Sequence, residues 1–360
     1  MSSAGATLLG SFSGATGTIS DRGFRYRKLG TSEWTTVGLN STTGSSGSFS
    51  KVIGGLSEST TYEYQAFVTE FNASTNQYED RWGSVKTFTT SASTVPTGET
   101  LNANWMELPA SPSSLGNRKL VTMRATMNNK DTRNYSILYD PQYYAATWVA
   151  FNYCKAHRGS GSLSSWNVNP QISEDLQVTP SYPSGYDRGH QIPNALRNGE
   201  TSMQKQTYYY TNSTPQLKEF NQGIWQNLET AERNIIDNSS ASPTDTLYIV
   251  TGPVYKTKGG NESVSTFTTG GKTVSVPNFY FRVILKVRRN TSGTVTAASA
   301  IGFWMPHDTD TGADDYAQYA CSVDSIEDKT GFDFFANLPP LVESSAEANT
   351  SWTTFKSFSF

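Results

Sequence analysis

Tyr186-Asp187-Arg188-Gly189-His190-Gln191-Ile192-Pro193 is the stretch on which the reading of this chain turns. Along an extended strand alternate side chains share a side, so Arg188 and His190 are expected together. A core histidine gains nothing from an adjacent guanidinium, whereas a phosphodiester site does. The arginine can hold a non-bridging oxygen while an imidazole, with an ordinary pKa of ~6.5, takes a proton from water. The neighbouring cation is expected to lower that pKa and keep the ring neutral. Downstream, Phe220-Asn221-Gln222-Gly223-Ile224-Trp225-Gln226-Asn227-Leu228-Glu229 reads as a helix from Asn221 onward. Asn221, Trp225 and Glu229 then recur at i, i+4 and i+8 and share one face. A carboxamide oxygen is a hard, neutral ligand suited to Mg²⁺, which keeps most of its waters. Glu229 lies ~12 Å along the axis from Asn221 and leans back toward it, so it is placed to hold water around an ion rather than the ion itself. Taken alone, this helix reads as a polar face beside a buried tryptophan; the blocks around it change that reading.

Three blocks stand in order: D-R-G-H-Q-x-P (187–193), T-N-x-T-P-Q (211–216) and F-N-Q-G-x-W-x-x-L-E (220–229). Together they resemble the DNA/RNA non-specific endonuclease family, the DRGH branch of the ββα-metal nucleases. Weaker similarity runs through Trp148-Val149-Ala150, Thr251-Gly252-Pro253, Val276-Pro277 and Thr330-Gly331-Phe332-Asp333-Phe334-Phe335, so it covers about residues 104–340. The resemblance implies His190 as general base and Asn221 as the one direct protein ligand to Mg²⁺, with Mn²⁺ as the alternative ion. It implies Arg188 as a phosphate or transition-state contact, Asn212 as the residue ordering the site beside the histidine, and Glu229 on the waters of the ion. Asp187 is expected to brace its strand. Relatives often carry a second basic residue where this chain has Ser164-Ser165-Trp166-Asn167-Val168-Asn169-Pro170, with Arg158 or Arg197 as substitutes. The implied reaction is one-metal hydrolysis of DNA and RNA to 5′-phosphate and 3′-hydroxyl ends.

The other two histidines are expected to be structural: His157 at the surface or a helix end between Lys155 and Arg158, and His307 in a loop opening after Pro306. Cys154 and Cys321, the only cysteines, form neither a disulfide framework nor a metal knuckle, and sequence leaves open whether they pair.

Working outward, the chain has 360 residues, enough for two domains. Residues 1–93 read as short strands between turns, as in an antiparallel sandwich. Phe24 and Tyr26 alternate with Arg25 and Arg27, and Tyr62, Tyr64, Ala66 and Val68 repeat the period of two. Residues 41–48 read as a flexible loop. Leu56, Thr60 and Tyr62 resemble the tyrosine corner of fibronectin type III modules, whose phenol hydroxyl bonds back to the chain. Small polar residues around Pro96 mark a linker at 94–103. From 104 to 343, strand-like stretches (246–251, 279–287) mix with helical ones near 143–157 and 220–237, leaving 344–360 as a C-terminal tail. The expected fold is therefore multidomain: an N-terminal all-β fibronectin III-like sandwich followed by a C-terminal α+β ββα-metal (His-Me finger) nuclease domain. The first module is expected to be a spacer or a surface-binding unit.

Charge balances in residues 1–93, with seven acidic and seven basic side chains, so the rest carries the whole net charge of −3. No global basic field points to nucleic acid, and binding is expected to come from a small, salt-sensitive basic patch. No recognition helix or zinc-finger spacing is present, so little sequence preference is expected. No apolar run is long enough to cross a bilayer. The N-terminus lacks a basic signal region, yet the Ser/Thr/Asn/Tyr-rich, lysine-poor composition favours an extracellular, periplasmic or cell-surface protein. Two other functions fit the residues less well: a phosphodiesterase on smaller phosphodiesters, and a non-catalytic surface-binding protein on a nuclease scaffold.

Overall fold

The computed structural model describes residues 6–53, 56–57, 60–90, 105–238, 242, 244–260 and 262–360. The expected linker at 94–103 lies outside them. The described chain divides into two compact units: one holds the residues up to Thr90 together with Ser111–Ser114, and the other holds 105–110 and everything from Leu115 on.

The first unit is all strand. β1 (Ala6–Ser13), β2 (Ile19–Lys28), β3 (Thr35–Gly38), β4 (Ser46–Ile53), β5 (Thr61–Asn72), β6 (Gln77–Trp82) and β7 (Lys86–Thr89) form a β1–β4 pair and a sheet ordered β3-β2-β5-β6, with β7 also on β5. Alternation puts Leu8, Phe24, Phe49 and Tyr62 into a shared core. On the other face of β2, the Arg25 guanidinium lies 4.5 Å from the Trp34 ring and 4.0 Å from that of Trp82, while Arg27 sits 4.3 Å over Trp34. Such stacking lets long cationic side chains cover aromatic surface without desolvating their charge. The Tyr62 hydroxyl accepts a 2.8 Å hydrogen bond from the Ser57 N–H. β4 begins inside the stretch read as a loop over 41–48.

The second unit is built on a seven-stranded antiparallel sheet. Its strands are β8 (Lys119–Met127), β9 (Lys130–Asp140), β10 (Ala145–Tyr153), β13 (Leu247–Val254), β16 (Phe279–Arg289), β17 (Val295–Pro306) and β18 (Ala320–Cys321), ordered β18-β17-β16-β13-β10-β9-β8. β11 (Tyr186–His190) pairs with β12 (Ser213–Leu217), and β14 (Thr266–Thr269) with β15 (Lys272–Ser275). Both sheet faces are covered, which explains the near-continuous apolar run of β16. Tyr280 and Ile284 enter one core, and Phe281, Val283, Leu285 and Val287 the other. For the same reason the helix expected near 143–157 is instead the interior strand β10. Val149, Phe151 and Tyr153 point to one core, Trp148 and Ala150 to the other, and a strand buried on both faces has no polar alternation to betray it.

The helices are α1 (Thr201–Thr207), α2 (Lys218–Phe220), α3 (Gln226–Asp237), α4 (Val323–Thr330), α5 (Pro340–Glu347) and α6 (Trp352–Ser357). The residues expected to be a tail at 344–360 are built into the domain. Trp352 and Phe355 are buried in the core, and the Lys286 ammonium donates to the carbonyls of Phe355, Lys356 and Phe358. They lie at and just past the C-terminal end of α6, where the Phe355 carbonyl also accepts from the Phe358 N–H at 3.3 Å. Among the described residues no helix is long and apolar enough to cross a membrane. Cys154 and Cys321 are free thiols.

Candidate active site

β11, β12 and the helix that follows form one strand–strand–helix unit, and the candidate residues sit on it. β11 ends at His190, paired with Ser213 at the start of β12. Gly189 is required by packing: a Cβ there would lie 1.9 Å from the Gln216 Oε1 on the facing strand. Asn212 locks the chain just past the histidine. Its Oδ1 accepts from the Ile192 N–H at 3.0 Å, and its Nδ2 donates to the carbonyls of Ile192 and Thr207 at 3.1 and 2.8 Å. It is fully buried, so it acts on the backbone and presents nothing to a substrate.

His190 is half-buried as a residue, yet its Nε2 is enclosed and has no hydrogen-bond partner among the described residues. Burial pushes its pKa down to about 4. The expected cause, the neighbouring Arg188, is not what does this. The Arg188 side chain is exposed and turns back so that Nε and Nη2 donate to the Pro180 carbonyl at 3.3 and 3.1 Å. Low dielectric alone disfavours the imidazolium. The enclosing wall is aromatic. The Trp166 ring lies 4.6 Å from the imidazole centroid to centroid, and Tyr208 meets it edge-on at 4.9 Å. Trp166 is held by its neighbour: Asn167 N–H donates to the Tyr208 carbonyl and Tyr210 N–H to the Asn167 carbonyl. In the sequence, the 164–170 stretch stands out only for the basic residue it lacks. A tryptophan far away in sequence carries no local signal of what it will cover.

The helix after β12 is not uniform. α2 passes into a wide turn over Asn221–Trp225, in which Gly223 has φ −103° and ψ −111°, before α3 resumes. A Cβ on Gly223 would meet the Gly312 carbonyl oxygen at 2.1 Å, so the close approach of that turn requires glycine. The single stripe expected for Asn221, Trp225 and Glu229 is therefore broken. Trp225 packs into the core against Phe220, with ring centroids 5.7 Å apart, whereas Asn221 turns to β11. There its Nδ2 donates to Asp187 Oδ2 at 2.9 Å, and Gln222 Nε2 donates to the same oxygen at 2.9 Å. Asp187, expected to brace its own strand, thus holds the helix carboxamides. With its nitrogen occupied, the Asn221 amide keeps its oxygen for another ligand. Glu229 lies near the fully buried Arg282–Glu232 pair, and burial pushes its carboxyl up to about 7 against the pull of Arg282. The Trp225 indole N–H approaches Glu229 but falls short of hydrogen-bond geometry.

Neither expected substitute for a second phosphate contact is free. Arg197 is fully buried and donates to Asn134 Oδ1, the Asn134 and Asn152 carbonyls and that of Leu196. Arg158 pairs with Asp237 and reaches the Tyr153 hydroxyl. His157 is buried rather than at the surface, and burial lowers its pKa to about 2. His307 is structural: its Nε2 accepts from the Leu217 N–H at 2.8 Å and its Nδ1 donates to the Pro277 carbonyl at 2.8 Å.

The residues that carry this unit lie within a stretch that matches a known family. The family model for the DNA/RNA non-specific endonuclease matches residues 117–341, more than half of the chain. The chain belongs to this family. It is similar to the protein named Nuclease of Serratia marcescens, with 31% identity over 238 residues, 64% of this chain and 80% of that one. It is also similar to the Nuclease of a Nostoc species, at 31% identity over 222 residues, 59% of this chain and 75% of that one. Mitochondrial Endonuclease G of Bos taurus is 27% identical over 217 residues, 58% of this chain and 69% of the relative. As a member of the non-specific endonuclease family, the protein is a nucleic-acid-hydrolysing enzyme with its nuclease domain in the C-terminal unit.

Proposed function

We propose that the protein is a sugar-non-specific endonuclease that cuts both DNA and RNA with little sequence preference, using His190 as general base beside a divalent ion, Mg²⁺ or Mn²⁺, on Asn221. The observation that carries this reading is the pairing on β11: one end bears an imidazole kept neutral by burial with an unpartnered Nε2, and Asp187 in the same strand holds the Asn221 carboxamide. The donor chemistry fits the ion. One hard amide oxygen, with its nitrogen already engaged, makes the sparse protein shell that Mg²⁺ accepts, and Glu229 is the candidate to hold waters of the ion. When bound, the ion supplies charge stabilisation at the phosphoryl group and the departing oxygen.

The protein's own residues do the rest. His190 takes a proton on its imidazole from the attacking water, whose oxygen bonds to phosphorus as the bond to the 3′ oxygen breaks; the departing oxygen takes a proton from solvent water, leaving a 5′-phosphate and a 3′-hydroxyl. Arg188, exposed at the strand, is the candidate phosphate contact. Asn212 and Asp187 are positioning residues, the first for the chain around His190 and the second for Asn221. Phosphate contacts locate a strand without reading it, which accounts for breadth of substrate. The Tyr62–Ser57 hydrogen bond supports a fibronectin III-like N-terminal module, read here as a spacer, and the composition supports an exported protein.

Incubation with plasmid and with RNA, in Mg²⁺ or EDTA, tests this reading beside His190→Ala. The parent should cut both polymers only with the ion, and the variant should lose about 10²–10⁴-fold while folding normally. A folded His190→Ala protein with near-parental activity would remove the histidine from the reaction.

A further inference from the structure

On the sheet face opposite the His190 unit, α4 and α5 bring carboxylates together. The cores separate the two places: Phe220, Ile224 and Trp225 of the nuclease helix enter one, while Val323 and Ile326 of α4 and Ala346 of α5 enter the other. One carboxylate oxygen from each of Asp324, Glu327 and Glu347 lies within 4.8 Å of the others. Asp324 and Glu327 stand at i and i+3 on α4, and Glu347 is the last residue of α5. Glu343, one turn earlier on α5, and Asp333, between the helices, add to the negative potential felt at Glu347.

A cluster of acids on a surface needs no ion, but Glu347 is not on the surface. It is 5% exposed, and its Oε1 is buried without any hydrogen-bond partner among the described residues. Leaving a carboxylate oxygen in that state is costly. The position makes it worse, because the C-terminal end of a helix carries the negative end of the macrodipole. The largest charges acting on Glu347 are those of Glu327, Glu343, Asp324 and Asp333, and all of them push its carboxyl up. The nearby Lys329 ammonium donates to Ser325 Oγ at 2.7 Å and lies 5.2 Å from the Trp304 ring. Glu327 spends one oxygen on the Phe334 N–H, at 2.6 Å. Asp324, by contrast, is exposed, so the group opens to solvent on one side.

We propose that Asp324, Glu327 and Glu347 form a divalent-cation site of the calcium class, distinct from the nuclease centre, that clamps α4 to α5. The donor set favours calcium: Ca²⁺ takes about six to eight oxygens in flexible geometry, which three carboxylates from two helices suit, whereas Mg²⁺ keeps several waters and takes one or two carboxylates. Water entering past Asp324 completes the shell. The bound ion neutralises a cluster in which burial and mutual repulsion otherwise push Glu343 up to about 8.

Thermal unfolding of the full chain, stripped with EDTA and titrated with CaCl₂ or MgCl₂ near neutral pH, tests the site without using activity. The parent should gain about 5 °C or more once CaCl₂ is roughly 100-fold above its dissociation constant. Asn221→Ala should keep that gain, because its change lies at the other centre. Glu347→Gln should lose it, as should Asp324→Asn, whose exposed position makes a folding failure from the substitution itself implausible on packing grounds. No gain in the parent at ~10 mM CaCl₂, above the weakest ordinary calcium sites, would overturn the proposal. So would a gain that survives in Asp324→Asn, one that vanishes in Asn221→Ala, or one that MgCl₂ reproduces at equal concentration in Asn221→Ala, where the nuclease centre no longer contributes.

Discussion

Replacing Asp187 by Ala should weaken divalent-ion dependence without touching the histidine. One Asp187 oxygen accepts from both Asn221 Nδ2 and Gln222 Nε2, each at 2.9 Å. A hydrogen bond to a charged acceptor is worth about 1.5–3 kcal/mol, and this carboxylate is only half-buried, which favours the lower end. Freed of it, the Asn221 amide can rotate and offer its N–H₂ where an ion needs oxygen. The loss of ~1.5 kcal/mol corresponds to about tenfold, the lower end of the 10–100-fold usual when a group that orients a metal ligand is removed. The assay is plasmid nicking against Mg²⁺ concentration. The half-saturating concentration should rise about tenfold, while the rate at saturating ion falls much less. Asp187→Asn should fall between the two proteins, since a neutral amide oxygen still accepts hydrogen bonds. A half-saturation unchanged in Asp187→Ala would refute the reasoning, and a fall in rate alone would place Asp187 elsewhere in the reaction.

The acid limb of kcat/KM, which reports the free enzyme, should lie near pH 4 rather than ~6.5, because burial lowers the His190 pKa to about 4. The same shift acts on stability. A ring whose folded pKa is depressed contributes fully above its unfolded value and loses that contribution as pH falls from ~6.5 toward 4, so the Tm change across that window should be more negative in the parent than in a folded His190→Ala variant. The Arg282–Glu232 pair, with Nη2 to Oε2 at 2.7 Å and both side chains fully buried, lies beside the nuclease helix. Glu232→Ala should strand the guanidinium and cost about 3–5 kcal/mol, a Tm fall of roughly 6–20 °C, whereas Glu232→Met with Arg282→Met should recover much of it. Equal losses in the single and double variants would show that packing, not the unpaired charge, sets the cost.

How much of this was legible before folding depends on whether a residue's meaning is local. The D-R-G-H and F-N-Q-G blocks announce their chemistry because a strand end and a helix start are set by neighbours in sequence. The alternation of Phe24 and Tyr26 with Arg25 and Arg27 is equally local, since it follows from the pleat. β10 was misread as a helix because burial on both faces erases the polar alternation that marks a strand. The residues at 344–360 gave no sign of docking, because Trp352 and Phe355 find their partners only across the sheet.

The sequence by itself determined the family, the order of its blocks and the residue types that can do phosphodiester chemistry, since those are carried by short contiguous motifs. Tertiary structure alone decided that burial, and not Arg188, keeps His190 neutral, that Trp166 walls it in, and that Asp187 holds Asn221. It also decided that Arg197 is a buried strut and that acids on two helices converge on Glu347. Each of these depends on dielectric and on distances between segments far apart in the chain, and neither quantity is written in local sequence.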